Sequence, residues 1–376
     1  AQLCGDDPAR DLVDHSMTSA PSPQPRPSAA SGLWTLLTSA VTIVIVLVGT
    51  LLIQPRLSER RLRIDDRYIL TPEEVAVLPS ETLAVVLDRT PGQDQNGFRY
   101  RLLQLVLERS GRAFALGLSE QIQSQDEAIA ALQQGPASTR NPFAISVGVY
   151  GAGLELNRRL RVIPMPVTGG ILGLRAGWSH RSQHERLAAI GSVEDLRSVV
   201  LLQGLGWSDV EIFDAAGLRT FTARSEDLLR LVDNRRVQLF PRGIDELERE
   251  APIVATTAEG TSLDPNLLIA YPFAGFFYVG PDNQALAEAI QLGFQRAIAD
   301  GSYQRLLEEL ILTPWLRRHL ALADRRVIAL PNPVAADVLA DVDPRHWIVP
   351  WNDLLQGRIR SGAQFCTEPR LKALCP

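Results

Sequence analysis

The sequence predicts an α/β protein of two lobes joined by two crossing segments and preceded by one transmembrane helix. Three observations carry that expectation. Short apolar runs alternate with helical patterns from about residue 83 to residue 301. Two extended segments rich in Gly, Pro or aromatic residues, 160–175 and 267–280, separate two sets of such units. Residues 33–53 carry no charge. A chain that leaves one α/β unit, builds another and returns through a second extended segment leaves a cleft between them.

Size and composition agree. At 376 residues, with 45% hydrophobic and 22% charged residues, the chain is long enough for two domains of ordinary size and belongs among folded sequences. The formal net charge of −5 is spread along the length with no basic block, which speaks against nucleic-acid binding. Arg supplies nearly all positive charge, since Lys372 is the only lysine. The spacing of Cys366 and Cys375 suits a small disulfide loop in an oxidising compartment, with two free thiols as the alternative.

In chain order, residues 1–32 are rich in Pro, Ser and Ala without periodicity and read as a disordered tail, within which Met17 is an alternative start. Residues 33–53 would span roughly 30 Å as a helix, the hydrocarbon thickness of a bilayer, and so read as an anchor in contact with lipid. The Gln54-Pro55-Arg56 that follows favours an uncleaved anchor over a signal peptide. Residues 54–82 form a juxtamembrane linker. Its arginines (56, 60, 61, 63 and 67) exceed those before the anchor, which by the positive-inside rule puts the large domain in the cytoplasm.

Strands are expected at 83–87, 113–118 and 143–149, with helices from Phe98 to a stop at Gly111 and over 124–133. After the first crossing come strands at 199–203, 218–222 and 237–240 and helices at 208–216 and 225–232. The chain returns through 267–280 into helices at 283–299 and 302–310, with a last helical stretch around 314–322. Lobe 1 is thus 83–166 plus 275–322, lobe 2 is 167–274, and the Pro-rich 323–376 is an irregular extension.

The sharpest local feature is Gln203-Gly204-Leu205-Gly206-Trp207-Ser208-Asp209, which follows a strand and opens a helix. Unpaired N–H groups at a helix start favour an anion, Ser208 adds a donor, and Trp207 can stack on a ligand or pack into a hinge. Arg158 and Arg159, with Arg161 and Arg175, flank the first crossing as candidate anion clamps. Arg242 follows the expected strand end at Pro241, where an open sheet meets its cleft. His180 and His184 lack a third ligand at metal spacing, and no cofactor or nucleophile motif is present.

Taken together, Gly97-Phe98-Arg99-Tyr100-Arg101-Leu102, the run from Ser192-Val193-Glu194-Asp195-Leu196-Arg197 through Gln203-Gly204 to Ser208, and Gly301-Ser302-Tyr303 resemble the ordered motifs of family 3 extracellular solute-binding proteins. These are the polar-amino-acid type of periplasmic binding protein. The resemblance covers about residues 83–310. It implies a type II periplasmic-binding-protein-like fold, non-enzymatic binding of a small polar solute, no cofactor, and an extracytoplasmic, membrane-anchored domain. The last point opposes the arginine distribution.

The sequence departs from the family in having Arg242 where an acid is usual and no aspartates in the first helix, so an anionic or amino-acid-like solute is expected. The ligand set is Arg158, Arg159, Gly206, Trp207, Ser208 and Arg242, with Ser208 and Arg242 sharing the anion. The implied role is the solute-binding component of a transport system, with a permease or signalling apparatus as partner. Alternatives are a sensory or scaffold module with a degenerate site, favoured if Arg242 and Ser208 are buried against protein groups, and a cleft enzyme of dehydratase or transglycosylase type.

Overall fold

Among the described residues, short β-rich runs and amphipathic helices assemble into an α/β fold of three sheets. The computed structural model describes residues 66–90, 93–136 and 138–375. Strands β1 (Leu83–Arg89), β2 (Phe114–Ile122) and β3 (Val147–Gly151) pair in parallel, with helices Phe98–Ser110 and Gln125–Gln134 in the connections. Gly111 ends the first helix in a left-handed conformation. Ser124 closes a capping box with Glu127 at the start of the second. These are βαβ units, read from the pattern as expected.

The chain then leaves the first sheet, builds two others and returns. Strand β4 (Arg161–Val162) stays at the edge of the first sheet, while β5 (Leu174–His180) lies in a second. In the third sheet β6 (Val200–Gly204) pairs in parallel with β7 (Arg219–Ala223), and Leu201 bridges to Leu239. Strands β8 (Phe240–Gly243), β9 (Thr261–Leu263) and β10 (Leu267–Ala270) all pair antiparallel with β5. Four residues after β10, β11 (Gly275–Val279) is back in the first sheet, antiparallel to β3 and β4. The two passages run side by side, since Val167 N–H donates to the Gly275 carbonyl and Tyr271 N–H to that of Gly173.

The C-terminal stretch is more ordered than its prolines suggest. Strand β12 (Arg326–Ala329) pairs in parallel with β10 at the rim of the second sheet. Ile348 N–H donates to the Gly169 carbonyl on the first passage. The Arg325 guanidinium, 1% exposed, donates to the Leu320 and Leu267 carbonyls and so pins this stretch to the second sheet. A disulfide joins Cys366 to Cys375, which settles the two alternatives for these residues.

One expectation is corrected. Residues 33–53 and the tail before them lie outside the described residues, and no helix among the described residues is long and apolar enough to cross a membrane. The longest, Gln284–Ala299, has 16 residues against the roughly 20 a span needs. The transmembrane helix of the expected fold, the lipid contact through it and the membrane-anchored localisation are withdrawn.

Near the end of β1, Asp88 is 5% exposed and accepts a hydrogen bond of 2.8 Å from the Tyr150 hydroxyl. Burial pushes its carboxyl up from 3.8 to about 6, although the Tyr150 hydrogen bond and Arg99 pull the other way. Between those values the folded protein holds a proton that the unfolded chain has released. Stability is therefore fuller below about pH 4 and falls as pH rises toward 6, by on the order of 2–3 kcal/mol. Urea unfolding at pH 4, 5, 6 and 7 is expected to show a shallower decline for Asp88→Asn than for wild type. A residual slope belongs to Asp245, pushed to about 6 first by burial and then by the neighbouring Glu246. Equal slopes in the two proteins would remove Asp88 from the account.

Candidate functional site

The Gly204–Asp209 turn forms because two glycines permit it. Gly206 sits at φ +76°, and a Cβ on Gly204 would come within 2.3 Å of the Trp207 ring, so the indole folds back over the strand end. Helix Asp209–Ala215 starts at the exposed Ser208, whose side chain makes no capping hydrogen bond. The anion at that helix start is the protein's own. Asp209 is buried, accepts from the Tyr271 hydroxyl, and lies 3.0 Å from Arg175 Nη2.

Arg175 opens an ionic network behind this turn. It is 4% exposed, pairs with Glu246 at 3.5 Å, and lies 5.5 and 5.2 Å from the Tyr271 and Phe273 ring centres. Burial alone would weaken its charge, but Asp209, Tyr271 and Glu246 outweigh burial and raise its pKa. Burial drives the Tyr271 hydroxyl well above its ordinary value.

Arg242 belongs to the same network. It is not on a loop beyond a strand end, because the strand expected at 237–240 runs instead from Phe240 to Gly243, and Arg242 stands opposite Ala176 of β5. Its Nε donates to Glu250 Oε1 at 2.8 Å and its Nη2 to Glu246 Oε1 at 2.7 Å, while its carbon Cζ lies 4.7 Å from the Trp207 ring centre. Glu250 also accepts from Trp178 Nε1 at 2.8 Å. Burial would raise the Glu246 carboxyl, but Arg242 and Arg175 hold it below its usual value. Arg242 Nε and Nη2 therefore both meet carboxylates of helix Leu247–Thr257 or its cap, and the side chain is only 11% exposed.

A cleft of about 660 Å³ is lined by Gly206, Trp207, Ser208, Asp209 and Glu211 and by Gln125, Ile129, Gly151, Ala152, Gly153, Glu155, Leu156 and Arg159. Phe273 of the second passage and Val334 complete it. The structure thus brings Arg159, Gly206, Trp207 and Ser208 together, and leaves Arg158 and Arg242 outside that lining. Arg158 is 75% exposed and pairs with Glu155 at 3.3 Å. Arg159 Nη2 donates to Gln133 Oε1 at 2.8 Å.

Sequence reasoning missed Glu155, Asp209, Glu211 and Phe273 as site residues. The spacing of Arg242, Glu246 and Glu250, four residues apart each time, is a signal that could have located the internal pairing.

A larger cavity of about 1060 Å³ is formed mainly by the C-terminal stretch. None of the residues expected to bind solute lines it, and its Arg345 and Arg358 are paired with Asp343 and Asp353. The smaller cleft, lined by four of those residues, is the better candidate. Among the described residues no group of three or more His, Cys, Asp or Glu could hold a metal ion.

No protein-family model matches the chain, and no curated protein matches it. Similar solved structures include an amino acid ABC transporter substrate-binding protein from Streptococcus pneumoniae bound to L-arginine. It is 14% identical, with 61% of this chain and 94% of that one covered and a TM-score of 0.43. A histidine kinase sensor domain with similarity to periplasmic binding proteins is 14% identical over 61% of this chain and 96% of that one, TM-score 0.42. A variant of the arginine-binding protein of T. maritima is 15% identical over 64% and 99%, TM-score 0.40. By their descriptions two are binding proteins and one is the sensor domain of a histidine kinase. The similarity is a distant one to periplasmic-binding-protein-like proteins and does not reach membership of family 3.

Proposed function

We propose that this protein binds a small polar solute without catalysis, closing two lobes around it. The lobes would be residues 83–166 plus 275–322 and residues 167–274. The observation that carries the reading is the cleft of about 660 Å³ with polar and aromatic groups from both halves and from the second passage. That volume lies in the range of small-molecule sites, and hinged halves meeting at such a cleft are a recurrent device for closure. The role this suits is the solute-binding component of a transport system, with a permease or signalling apparatus as the partner that senses the closed form.

A second reading rests on a specific observation. Arg242, expected to clamp an anion, is held by Glu246 and Glu250, which fits a sensory or scaffold module whose ligand site is degenerate. Thermal melting of the chain with panels of amino acids, amines, dicarboxylates and small anions separates the two. A solute at about a hundred times its Kd adds roughly 2.7 kcal/mol of stability. A clear rise in Tm with at least one solute supports binding; no shift with any member of the panel supports the degenerate module.

A further inference from the structure

Resting on the two-lobe reading above, we infer that the C-terminal stretch is a strap that locks the hinge between the lobes, so that closure requires residues 330–351 to shift off that hinge. The observation that carries this is what covers the glycines of the first passage. Gly169 and Gly170 stand side by side at φ +59° and +89°, a conformation that suits a pivot. A Cβ on Gly169 would lie 2.5 Å from Ile348 Cγ1, and one on Gly170 would lie 2.9 Å from both Trp347 Cε3 and Trp351 Nε1. The Ile348 N–H donates to the Gly169 carbonyl at 2.8 Å, so main chain and side chains of the strap both hold the pivot.

The strap is anchored on either side of the hinge. Beyond β12 the Leu330 N–H donates to the Ala270 carbonyl at 2.8 Å, and the buried Asn332 donates from Nδ2 to the Pro272 carbonyl at 2.8 Å, so the strap follows the second passage. Ile328 and Leu330, with Val334 against them, join the apolar cluster of Leu201, Phe213 and Tyr271. Val342, with Leu339 and Trp347 against it, joins the separate cluster of Ile129, Tyr150 and Phe276. One stretch of chain thus enters the core of each proposed lobe and lies over both passages. Its far end is fixed as well, since Arg370 Nη1 donates to the Arg345 and Trp347 carbonyls at 3.0 and 3.2 Å and the Cys366–Cys375 disulfide closes the terminus behind it.

Domains turn about a few residues that absorb the change in φ and ψ, and adjacent glycines absorb it at least cost. Here rotation at Gly169 and Gly170 drives the main chain into Ile348 and two indole rings, and a close-packed interior does not yield to it. Val334 lines the cleft, so a solute seated there touches the strap itself. A stretch that only added stability would lower the melting temperature when weakened and leave the spacing of the lobes unchanged.

The test is double electron–electron resonance on the full chain without solute, with nitroxides attached at Ala130→Cys and Ala215→Cys, Cys4→Ser in the background and the disulfide kept oxidised. Ala130 and Ala215 are exposed on helices Gln125–Gln134 and Asp209–Ala215. With the strap intact one narrow distance is expected. Ile348→Ala removes the side chain over the pivot and keeps the N–H to Gly169, and it should add a second distance or broaden the first while circular dichroism still reports a folded chain. Trp347→Leu, at a half-buried position over Gly170, should do the same and stands in if Ile348→Ala does not fold. A broad distribution with the strap intact overturns the lock, and so does an unchanged narrow distance in the folded variants. No solute enters this measurement, so a locked chain that nothing in the melting panel stabilises keeps the strap and removes solute binding in the cleft. A chain that moves freely yet is stabilised by a solute does the reverse.

Discussion

Arg175→Ala is expected to lower the unfolding free energy by about 3–5 kcal/mol, the range found when one member of a buried ion pair is removed. The guanidinium is the shared partner of Asp209 at 3.0 Å and Glu246 at 3.5 Å, and it packs against Tyr271 and Phe273. Its loss leaves Asp209 buried with only the Tyr271 hydroxyl to satisfy it. The double variant Arg175→Met with Asp209→Leu should be less destabilised than Arg175→Ala, because no orphaned charge remains at the helix start. Equilibrium urea unfolding measures both. A loss below about 1 kcal/mol for Arg175→Ala would mean that water reaches the network.

Arg242→Ala is expected to act on stability and not on solute affinity. The substitution leaves Glu250 without its cation and Glu246 with Arg175 alone, and a cost of about 3 kcal/mol follows. The packing of Trp207 on the guanidinium is lost as well. From sequence alone the same substitution reads as a loss of 2–5 kcal/mol of binding to an anion. The two accounts differ in what moves, so unfolding and titration on one variant distinguish them. Intact stability with abolished binding would restore Arg242 to the ligand site.

Much of the α/β order could be read from the chain because periodicity and punctuation coincide. The run that became β1 is apolar and followed by a helix that Gly111 stops, and Ser124 sits where a cap is needed. Both passages between sheets were legible because two extended, Gly- or Pro-bearing runs separate sets of βα units. Strand β8 was misplaced by three residues at its start because Pro241 reads as a breaker. At the edge of the second sheet a proline costs no interior ladder hydrogen bond, and β8 occupies such an edge. That displacement moved Arg242 from a supposed cleft loop into a strand beside helix Leu247–Thr257.

The site was only partly legible. Gly206, Trp207 and Ser208 were marked by local chain chemistry, and Arg159 by its place beside a passage, and all four line the cleft. The partners of Arg175, Asp209 and Glu246, come from distant segments that no local pattern encodes, whereas those of Arg242 lie four and eight residues further along the chain. Charge on its own is a poor guide here. The buried arginines look like anion clamps until their carboxylates are found, and the acids that face the cleft look like ordinary helix-surface residues.

Hydrogen exchange with and without whichever solute raises the melting temperature tests the central claim most directly. A solute held in the cleft must slow exchange of amides in both 151–159 and 206–211, since residues of both segments line it. The account predicts protection at both together. Protection confined to one of them, or found only around the cavity of the C-terminal stretch, would contradict it.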